Sequence, residues 1–441
     1  MKKSKVILYS LILLPFFILL YIFFPPFLSS TIKMDIDNLF NNPITYWYLI
    51  FEFVGLMALL GFVIYFGIHF LASFGSVFKS KKQFFPNITI LIASKNERLL
   101  LERTLNSIVK SDYPKDKMQI IIVTSNSTDN STEFCEKFAM EHNLIDILIL
   151  SKNIPKKGKP AALNYGLKSV EHDICIFYDS GNILISNTLQ NLVAPLQNKD
   201  INVTIGFLVV KNWKQNKWTR ATAFDYSFIS GGGILSEVKN KLGSSCYLFG
   251  RNFCIRKDVL FHYNGFNENS ITEDLYLNVL LNLDEEKILF VPDAKAYEIV
   301  PNTWNTIKKQ RTRWVLGSKR DMPKLSTLKK GKKTATSIIF SRGLSLILLA
   351  NIDIWILVMI GFTFLYILIS EFLLLSWTLL CLIFSLGFIF NGIRKYGDKR
   401  YITFFYLIFS VYIHFFMLTR NISSSSSSAD EIEWERTRIE L

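Results

Sequence analysis

The sequence predicts an α/β domain with a mostly parallel, Rossmann-like sheet, inserted between transmembrane α-helices. Three observations predict it. Of the 441 residues, 50% are hydrophobic, and they cluster toward both ends of the chain. The middle alternates short apolar strands with helical patterns, as parallel sheets do. Basic residues flank the apolar runs, as they do beside membranes. We therefore expect a membrane protein with a soluble middle large enough for a core and a cleft.

Residues 1–80 predict two transmembrane helices. An apolar run from Val6 to Leu28 follows several lysines and is longer than the about 7 to 15 residues of a signal-peptide core. A second run, from Tyr46 to Phe74, opens with an aromatic cluster and ends before further lysines. Because positive charge lies before the first run and after the second, both ends of this hairpin are expected in the cytoplasm.

Residues 84–325 predict the soluble α/β domain, which is therefore cytoplasmic as well. The stretches 87–93, 118–124 and 174–178 are apolar and rich in β-branched residues, and a polar turn follows each of them. The carboxyl ends of parallel strands meet at one edge of a sheet, where ligands bind. The polar turns are therefore expected to line a cleft.

The C-terminal part predicts a basic interfacial segment, residues 326–343, and then transmembrane helices within 344–420. The Gly-Lys of the basic segment lacks the spacing of a phosphate-binding loop, so we expect it at lipid headgroups. Asn351 and Asp353 interrupt the first of three apolar runs, which leaves five or six spans in all. Alternatively, Asp353 lines a path through the membrane. Residues 421–441 form a serine-rich, acidic tail that we expect to be mobile.

Composition argues against several other kinds of site. The formal charge of +14 lies largely beside apolar runs, and no nucleic-acid-binding motif accompanies it, so the expected partner is a lipid bilayer and not nucleic acid. The five cysteines form no C-x-x-C pair, which argues against a structural zinc or a disulfide framework. The five histidines are scattered and are expected to be structural.

The most informative motif is Thr272-Glu273-Asp274. Thr272 is expected to cap a helix whose apolar residues pack inward, which places two carboxylates at the helix N-terminus. Such a carboxylate serves either as a general base or only as a complement to the helix dipole. Further polar motifs along the same soluble segment favour a site.

Those further motifs contain the groups that sugar transfer from a nucleotide donor requires. Lys159 precedes a helix, where it would meet a diphosphate. Asp179 ends the third strand, where a divalent cation bridging phosphates would bind. Trp314, near the end of the soluble segment, offers an aromatic ring for a sugar face.

The order of these motifs resembles the membrane-embedded family 2 glycosyltransferases, the group that contains cellulose, chitin, hyaluronan and bacterial poly-N-acetylglucosamine synthases. The resemblance covers nearly all of the chain. It is most specific at Thr272-Glu273-Asp274 and at Gln310-Arg311-Thr312-Arg313-Trp314, which matches the family's Q-x-x-R-W. It implies a GT-A fold and an inverting transfer from a UDP-sugar to a glycan or lipid acceptor, in a multi-pass protein of the cell membrane.

The resemblance also implies a role for each matching residue. Asp274 is the general base, with Glu273 beside it. The donor and its diphosphate are assigned to Asn96, Glu97, Asp129, Lys159, Asn164, Asp179, Gln310 and Arg313. The acceptor is assigned to Thr272, Arg251 and Trp314. Asp179 would also hold the metal, Mg²⁺ or Mn²⁺.

Two departures from the family pattern stand out. Asp179-Ser180-Gly181 replaces D-x-D, so the second metal-binding carboxylate is missing and Asn182 offers the next oxygen. Thr124 and Ser125 replace the first two acids of D-D-G-S-x-D. A processive polysaccharide synthase coupled to export is the leading expectation. Transfer of one sugar to a membrane lipid, and a scaffold that has lost turnover, are the alternatives. The sequence does not indicate the oligomeric state.

Overall fold

The computed structural model describes residues 48–75, 84–154, 158–330, 333–334, 351–368, 370, 372–397 and 404–423. The first predicted transmembrane helix, most of the basic segment and the part of the serine-rich tail that follows Ser423 lie outside these residues. The described residues form two compact units. One comprises those up to Phe66 together with Phe362–Cys381, and the other comprises Gly67–Gly361 and the residues from Leu382 onward. All residues of the site described below belong to the second unit.

Helices account for most of the described chain. In chain order they are α1 Tyr48–Ala72, α2 Arg98–Val109, α3 Ser131–Glu141, α4 Lys159–Leu167, α5 Thr188–Val193, α6 Lys217–Asp225, α7 Gly233–Lys241, α8 Lys257–His262, α9 Glu273–Leu283, α10 Trp304–Ser326, α11 Ile352–Leu368, α12 Phe372–Tyr396 and α13 Phe404–Ser423. A π-helical turn, Tyr226–Ser230, continues α6.

The strands of the soluble domain form one mixed sheet. They are β1 Ile88–Ala93, β2 Met118–Val123, β3 Asp146–Leu150, β4 Ile174–Asp179, β5 Ile183–Leu184, β6 Val203–Val210, β7 Phe253–Arg256 and β8 Ile288–Glu298. Their order in the sheet is β3-β2-β1-β4-β7-β6-β8-β5. A separate two-stranded ribbon pairs β9 Lys329–Lys330 with β10 Lys333–Thr334.

The position of the site follows from the strand order. The strands β1 to β4 are parallel, and the chain runs outward from β1 to β3 before β4 returns to the other side of β1. The carboxyl ends of β1 and β4, at the Ala93↔Asp179 pair, therefore flank a topological switch point. Helices cannot cover the sheet edge at such a point, and a crevice opens there.

The core is apolar on both faces of this sheet. One cluster contains Ile90, Ile92 and Ile120, and the cluster on the other face contains Leu91 and Ile121. Successive side chains of a strand point to opposite faces, so a continuous apolar run is needed where both faces are covered. The predicted strands 87–93, 118–124 and 174–178 are confirmed to within one residue at each end.

The apolar helices correspond to four of the five predicted membrane runs. Within α12, Leu374–Tyr396 is a stretch of 23 residues that is long and apolar enough to cross a bilayer. The apolar parts of α1, α11 and α13 are shorter, at Met57–Ala72, Ile352–Leu368 and Ile408–Met417. Among the described residues, one helix thus meets the length and hydropathy of a membrane span by itself.

A buried ion-pair cluster connects α7 to the end of α12. Glu237, of which 1% is exposed, accepts bonds from Lys395 Nζ at 2.8 Å and from Tyr396 Oη at 2.5 Å. Lys241 also contacts this carboxylate, at 2.5 Å. Removing one partner of a buried ion pair is strongly destabilising, so these contacts hold the sheet domain against this helix end.

Candidate active site

A cavity of about 820 Å³ lies at the carboxyl ends of β1 and β4. It is lined by most of the residues that the motifs predict for the site. These are Lys159, Asp179, Arg251, Thr272, Glu273, Asp274, Arg313 and Trp314. The fold therefore brings together side chains that are far apart in the sequence.

Lys159 lies at the centre of the polar wall. Its Nζ is 2.7 Å from Asp179 Oδ1 and 3.4 Å from Glu273 Oε1, and it donates to the Gly250 carbonyl oxygen at 3.0 Å. Burial alone would lower the pKa of Lys159, but Asp179 and Glu273 raise it above its usual range. Lys159 is therefore a permanent cation at the base of the cavity.

The two acids beside Lys159 differ in their surroundings. Burial opposes ionisation of Asp179, but Lys159 and then Arg251 lower its pKa below the usual value. Glu273 is only 6% exposed, and this burial raises its pKa. The charge of Lys159 lowers the pKa of Glu273 in part, and the charge of Asp274 raises it further. Glu273 thus serves as a buried partner of Lys159, while Asp179 presents a charged carboxylate to the cavity.

Arg251 also lines the cavity and is held there by another carboxylate. Its Nε and Nη2 donate to Glu298 Oε2 at 3.1 and 2.9 Å, and Nη2 also donates to Tyr226 Oη at 3.0 Å. Tyr226 in turn donates to the same Glu298 oxygen at 3.0 Å. Because these bonds use much of its donor capacity, Arg251 lines the cavity with a charge that Glu298 already balances.

The groups around Asp179 do not fit a divalent cation. Gly181 replaces the second carboxylate, and Asn182 Oδ1 accepts a bond from the Asp179 N–H at 2.9 Å. Ser180 Oγ donates to Glu97 Oε2 at 2.7 Å, away from this position. The Asp179 carboxylate is itself paired with an ammonium group, since Lys159 Nζ lies 2.7 Å from its Oδ1. Among the described residues no cluster of three or more His, Cys, Asp or Glu side chains could hold Mg²⁺ or Mn²⁺.

The Thr272-Glu273-Asp274 motif starts α9, but Thr272 does not cap it in the expected way. Thr272 is at the N-cap position without a side-chain bond to the helix, and its Oγ1 donates to Asp321 Oδ2 at 3.1 Å. Ser270 Oγ donates to the same oxygen. The expectation of a Thr272 side-chain cap was wrong, because the hydroxyl is directed to the Asp321 carboxylate, on α10, and accepts no bond from the helix N–H groups. This carboxylate ties the loop before Asp274 to the helix that carries Trp314.

Asp274 is packed against the backbone of Gly250. Its Oδ1 accepts a bond from the Leu275 N–H at 2.9 Å. Gly250 has a φ of +67°, and a Cβ at this residue would lie 2.9 Å from Asp274 Oδ2. Glycine is required here for two reasons: other residues rarely adopt a positive φ, and a Cβ at this residue would clash with the Asp274 carboxylate. The Asp274 carboxylate is therefore fixed on the cavity wall at both oxygens, because Oδ1 is bonded to the Leu275 N–H and Oδ2 is packed against Gly250.

Three predicted donor residues lie in the loops behind the cavity and do not line it. Asn96 Oδ1 accepts a bond from the Thr128 N–H at 2.7 Å, and Asp129 Oδ2 accepts from the Arg98 N–H at 2.8 Å. Glu97 accepts from Ser180. These contacts join the turns after β1, β2 and β4. A role for Asn96, Glu97 and Asp129 in donor binding stays a prediction.

Asn164 and Gln310 also lie outside the cavity lining. Asn164 Nδ2 donates to the Phe266 carbonyl oxygen at 2.8 Å, and its Oδ1 accepts from the Phe266 N–H at 2.8 Å. It therefore holds the loop that leads to Thr272. Gln310 is half-buried on α10, one residue before Arg311. Their assignment to the donor stays a prediction.

The cavity also contains residues that the motifs did not indicate. Asp225 lines it, as do Asn351, His414 and Met417 from the C-terminal segments and Arg311, a variable position of the Q-x-x-R-W motif. The histidines were expected to be structural and none was assigned to the site, so the place of His414 in the lining was not foreseen. A polar residue within an apolar run, as at Asp353 and His414, was the available signal. No feature of the sequence indicated that Asp225 would line the cavity.

Comparison with known proteins identifies the domain. The model of the family named "Glycosyltransferase like family 2" matches residues 86–317, more than half of the chain. The chain belongs to this glycosyltransferase family. A mannosyltransferase from Pyrobaculum calidifontis, solved in complex with GDP-Man and Mn²⁺, shares the GT-A fold with a TM-score of 0.53. The two are 17% identical, over 83% of this chain and 96% of that one.

Curated relatives of this glycosyltransferase include enzymes with two kinds of product. A beta-monoglucosyldiacylglycerol synthase of Nostoc is 27% identical over 60% of this chain and 56% of its own. A poly-beta-1,6-N-acetyl-D-glucosamine synthase of Staphylococcus epidermidis is 25% identical over 54% of this chain and 56% of its own. A probable glycosyltransferase of Bacillus subtilis, YdaM, is 28% identical over 53% of this chain and 55% of its own. The chain therefore spans little more than half the length of these relatives.

Proposed function

We infer that this glycosyltransferase moves a hexose or N-acetylhexosamine from a UDP-sugar to a growing polysaccharide, with inversion at the anomeric carbon. The observation that carries the proposal is the position of Asp274. Its carboxylate lines the same cavity as the cations Lys159 and Arg313 and the ring of Trp314. A base, a diphosphate subsite and a sugar-stacking surface thus share one space of about 820 Å³.

In the proposed reaction, the donor diphosphate lies against Lys159 and Arg313, and the acceptor sugar stacks on Trp314. Asp274 removes the proton of the acceptor hydroxyl as its oxygen bonds to the anomeric carbon. The bond from that carbon to the phosphate oxygen breaks on the opposite face, and the electron pair leaves with UDP. Lys159 and Arg313 stabilise the charge that develops on the departing phosphate.

Two features support the cationic subsite. Arg313 Nε is buried and lacks a hydrogen-bond partner among the described residues, so it has a donor left for a ligand. Arg313 also contributes to the lowered pKa of Asp179, which indicates that its charge reaches that carboxylate. A buried charge without full hydrogen bonding is costly, and a bound phosphate would satisfy it.

The proposal extends to location and product. The apolar helices favour a multi-pass protein of the cell membrane with its catalytic domain in the cytoplasm. Cavity residues Asn351, His414 and Met417 come from the C-terminal segments, which supports transfer of a long product toward those helices. The alternative to a long glycan is a glycolipid product, because the Nostoc relative is named as a beta-monoglucosyldiacylglycerol synthase.

The test is nucleotide release by the purified full chain in nanodiscs. UDP-glucose, UDP-N-acetylglucosamine, UDP-glucuronate and GDP-mannose are supplied with a membrane lipid extract, and the products are sized. Release with a long glycan supports the synthase, and release with only a short glycolipid supports the alternative. No release from any donor by folded protein would refute transfer from these donors and favour a scaffold.

Asp274→Asn is the decisive variant in this assay. It should lower kcat by about 10²- to 10⁴-fold, because general base catalysis contributes this much. Binding of UDP should remain, since the amide keeps the shape of the side chain. Asp293→Asn, at an exposed position on β8, is the matched control and should turn over normally. Wild-type turnover by Asp274→Asn would refute the assignment of the base.

A further inference from the structure

We propose that a chain of four buried side chains positions Trp314 from the C-terminal helices and thereby controls acceptor binding. The chain comprises Asp353, His414, Asp225 and Arg311. The inference rests on the proposed transferase function, in which Trp314 carries the acceptor sugar. It assigns a positioning role to Asp353, His414 and Asp225, which lie outside the glycosyltransferase motifs, and to Arg311, a variable position of the Q-x-x-R-W motif.

The first link joins Arg311 to Trp314 on α10. The two residues are three positions apart, so their side chains lie on the same face of the helix. The Arg311 guanidinium carbon is 4.3 Å from the centre of the Trp314 ring, over its face. A cation at this distance is attracted to the ring and restricts its tilt. The orientation of the proposed sugar-stacking surface therefore depends on where Arg311 is held.

The second link holds Arg311 through Asp225. Arg311 Nη2 donates to Asp225 Oδ2 at 2.8 Å, and both side chains are 3% exposed. Burial would raise the pKa of Asp225, but the Arg311 guanidinium lowers it below its usual range. Asp225 is thus a charged partner at the end of α6, directly before the π-helical turn. A planar guanidinium paired with a carboxylate has a defined direction as well as a defined position.

The remaining links come from the C-terminal helices. His414, on α13, has its Nε2 3.5 Å from Asp225 Oδ1 and its Nδ1 2.7 Å from Asp353 Oδ2. Asp353 is 1% exposed and lies in the first turn of α11, where its Oδ1 accepts the Ile354 N–H at 2.9 Å. Each polar member is therefore held by the next, from α11 through α13 and α6 to α10.

Such a chain has a consequence for function. A shift of one buried side chain in this series removes a contact of the next, which is costly where water cannot replace it. The series is not fully hydrogen-bonded: among the described residues Asp225 Oδ1 and Arg311 Nε have no hydrogen-bond partner, and His414 Nε2 approaches Asp225 Oδ1 at 3.5 Å. A displacement of His414 would pass through Asp225 to Arg311 and change the tilt of the Trp314 ring. The donor subsite at Lys159 lies outside this chain. Acceptor affinity should therefore respond to the C-terminal helices, whereas donor affinity should not.

The test is a double-mutant cycle between His414 and Trp314, with steady-state transfer as the readout. His414→Leu alone should raise the acceptor KM about tenfold and leave the donor KM within about twofold. In a Trp314→Ala background, where the ring is already absent, His414→Leu should change the acceptor KM by less than about twofold. The acceptor is the glycan or glycolipid that the wild type extends in the release assay.

Two outcomes would overturn the proposal. An equal rise in acceptor KM in both backgrounds would mean that His414 contacts the acceptor directly. Equal losses in donor and acceptor KM would mean a general effect on the fold. Ser410→Ala is the matched control, since Ser410 lies one turn earlier on α13, is 1% exposed and has no hydrogen-bond partner for its Oγ among the described residues. It should leave both KM values unchanged.

A second variant keeps the test decisive if His414→Leu does not fold. Arg311→Lys retains the charge near Asp225 but loses the planar group that stacks on the ring. It should raise the acceptor KM only when Trp314 is present, and an equal rise without Trp314 would overturn the proposal. If the wild type releases no nucleotide from any donor, the transferase function fails. If it turns over and neither cycle shows coupling, only the positioning role fails.

Discussion

Gly250 offers a sharp test of how tightly the carboxylate of Asp274, the proposed general base, is positioned. In Gly250→Ala, the new Cβ would lie 2.9 Å from Asp274 Oδ2 and 3.1 Å from Asp274 Cβ. Ordinary contacts begin at 3.4 Å, so one group must move by roughly 0.5 Å. A misplacement of about 1 Å in an active site costs on the order of 10²-fold in rate. We therefore expect kcat to fall about tenfold.

The backbone contributes a separate effect on stability. Alanine at a φ of +67° is in the left-handed region, which costs about 1–2 kcal/mol. Gly243→Ala is the matched control, because Gly243 has a φ of +89° and nothing within 4 Å of an added Cβ. Both variants should lose a similar amount of stability in thermal unfolding, but only Gly250→Ala should lose turnover.

The assay is UDP release at saturating donor and acceptor, together with thermal unfolding of each variant in the same nanodiscs. Turnover by Gly250→Ala at the wild-type rate would show that Asp274 is not constrained by this contact. An equal loss of turnover in Gly243→Ala would show that the rate reports on stability alone. Either result would refute the reasoning.

Four further predictions concern residues of the cavity. Trp314→Ala should raise the acceptor KM about tenfold with little change in donor KM, because stacking on an aromatic ring is worth about 1 kcal/mol or more; a collapse of donor affinity alone would contradict it. Chelation of divalent metals with EDTA should leave turnover within about twofold, since the Lys159 ammonium group takes the place of a metal cation. A loss of turnover that Mn²⁺ restores would contradict this prediction. Lys159→Met should lower kcat about 10²-fold, because it removes that positive charge. Asp225 has a pKa below its unfolded value of about 3.9, so its contribution to stability is present above that pH and is lost as the pH falls through its folded pKa. Asp225→Asn should therefore cost about 3 kcal/mol at pH 7, with Arg311 left unpaired, and should flatten the acid dependence of thermal unfolding below about pH 5.

The sequence motifs predicted the cavity residues that could be recognised from their immediate neighbours in the sequence. Asp274, Lys159 and Asp179 were predicted from the turn or helix start that carries each of them, and all three line the cavity. Periodicity and β-branched content predicted the central strands, because a strand covered on both faces must be apolar throughout. The antiparallel strands β5 and β7 were not predicted, since pairing direction depends on the path of the chain between strands.

Other residues in matching motifs have contacts that the motifs did not indicate. Asp129 lies in a family-like turn, yet its carboxylate accepts bonds from the Arg98 and Ser131 N–H groups at 2.8 and 3.3 Å. Thr272 has the residue type of a helix cap, yet it donates to Asp321, 49 positions later. A polar side chain bonds whichever partner the fold brings within reach, and the sequence does not show which partner that is.

The α/β domain between apolar segments, the family and the residue types available for transfer could all be predicted without the structure. These properties follow from periodicity, hydropathy and short motifs, all of which are local along the chain. By contrast, the contact of Lys159 with Asp179, where a metal was expected, and the series from Asp353 through His414 and Asp225 to Arg311 became visible only in the folded chain. These residues are far apart in the sequence. Burial and charge pairing are set by neighbours in space, and helix packing brings those neighbours together from segments that no local pattern connects.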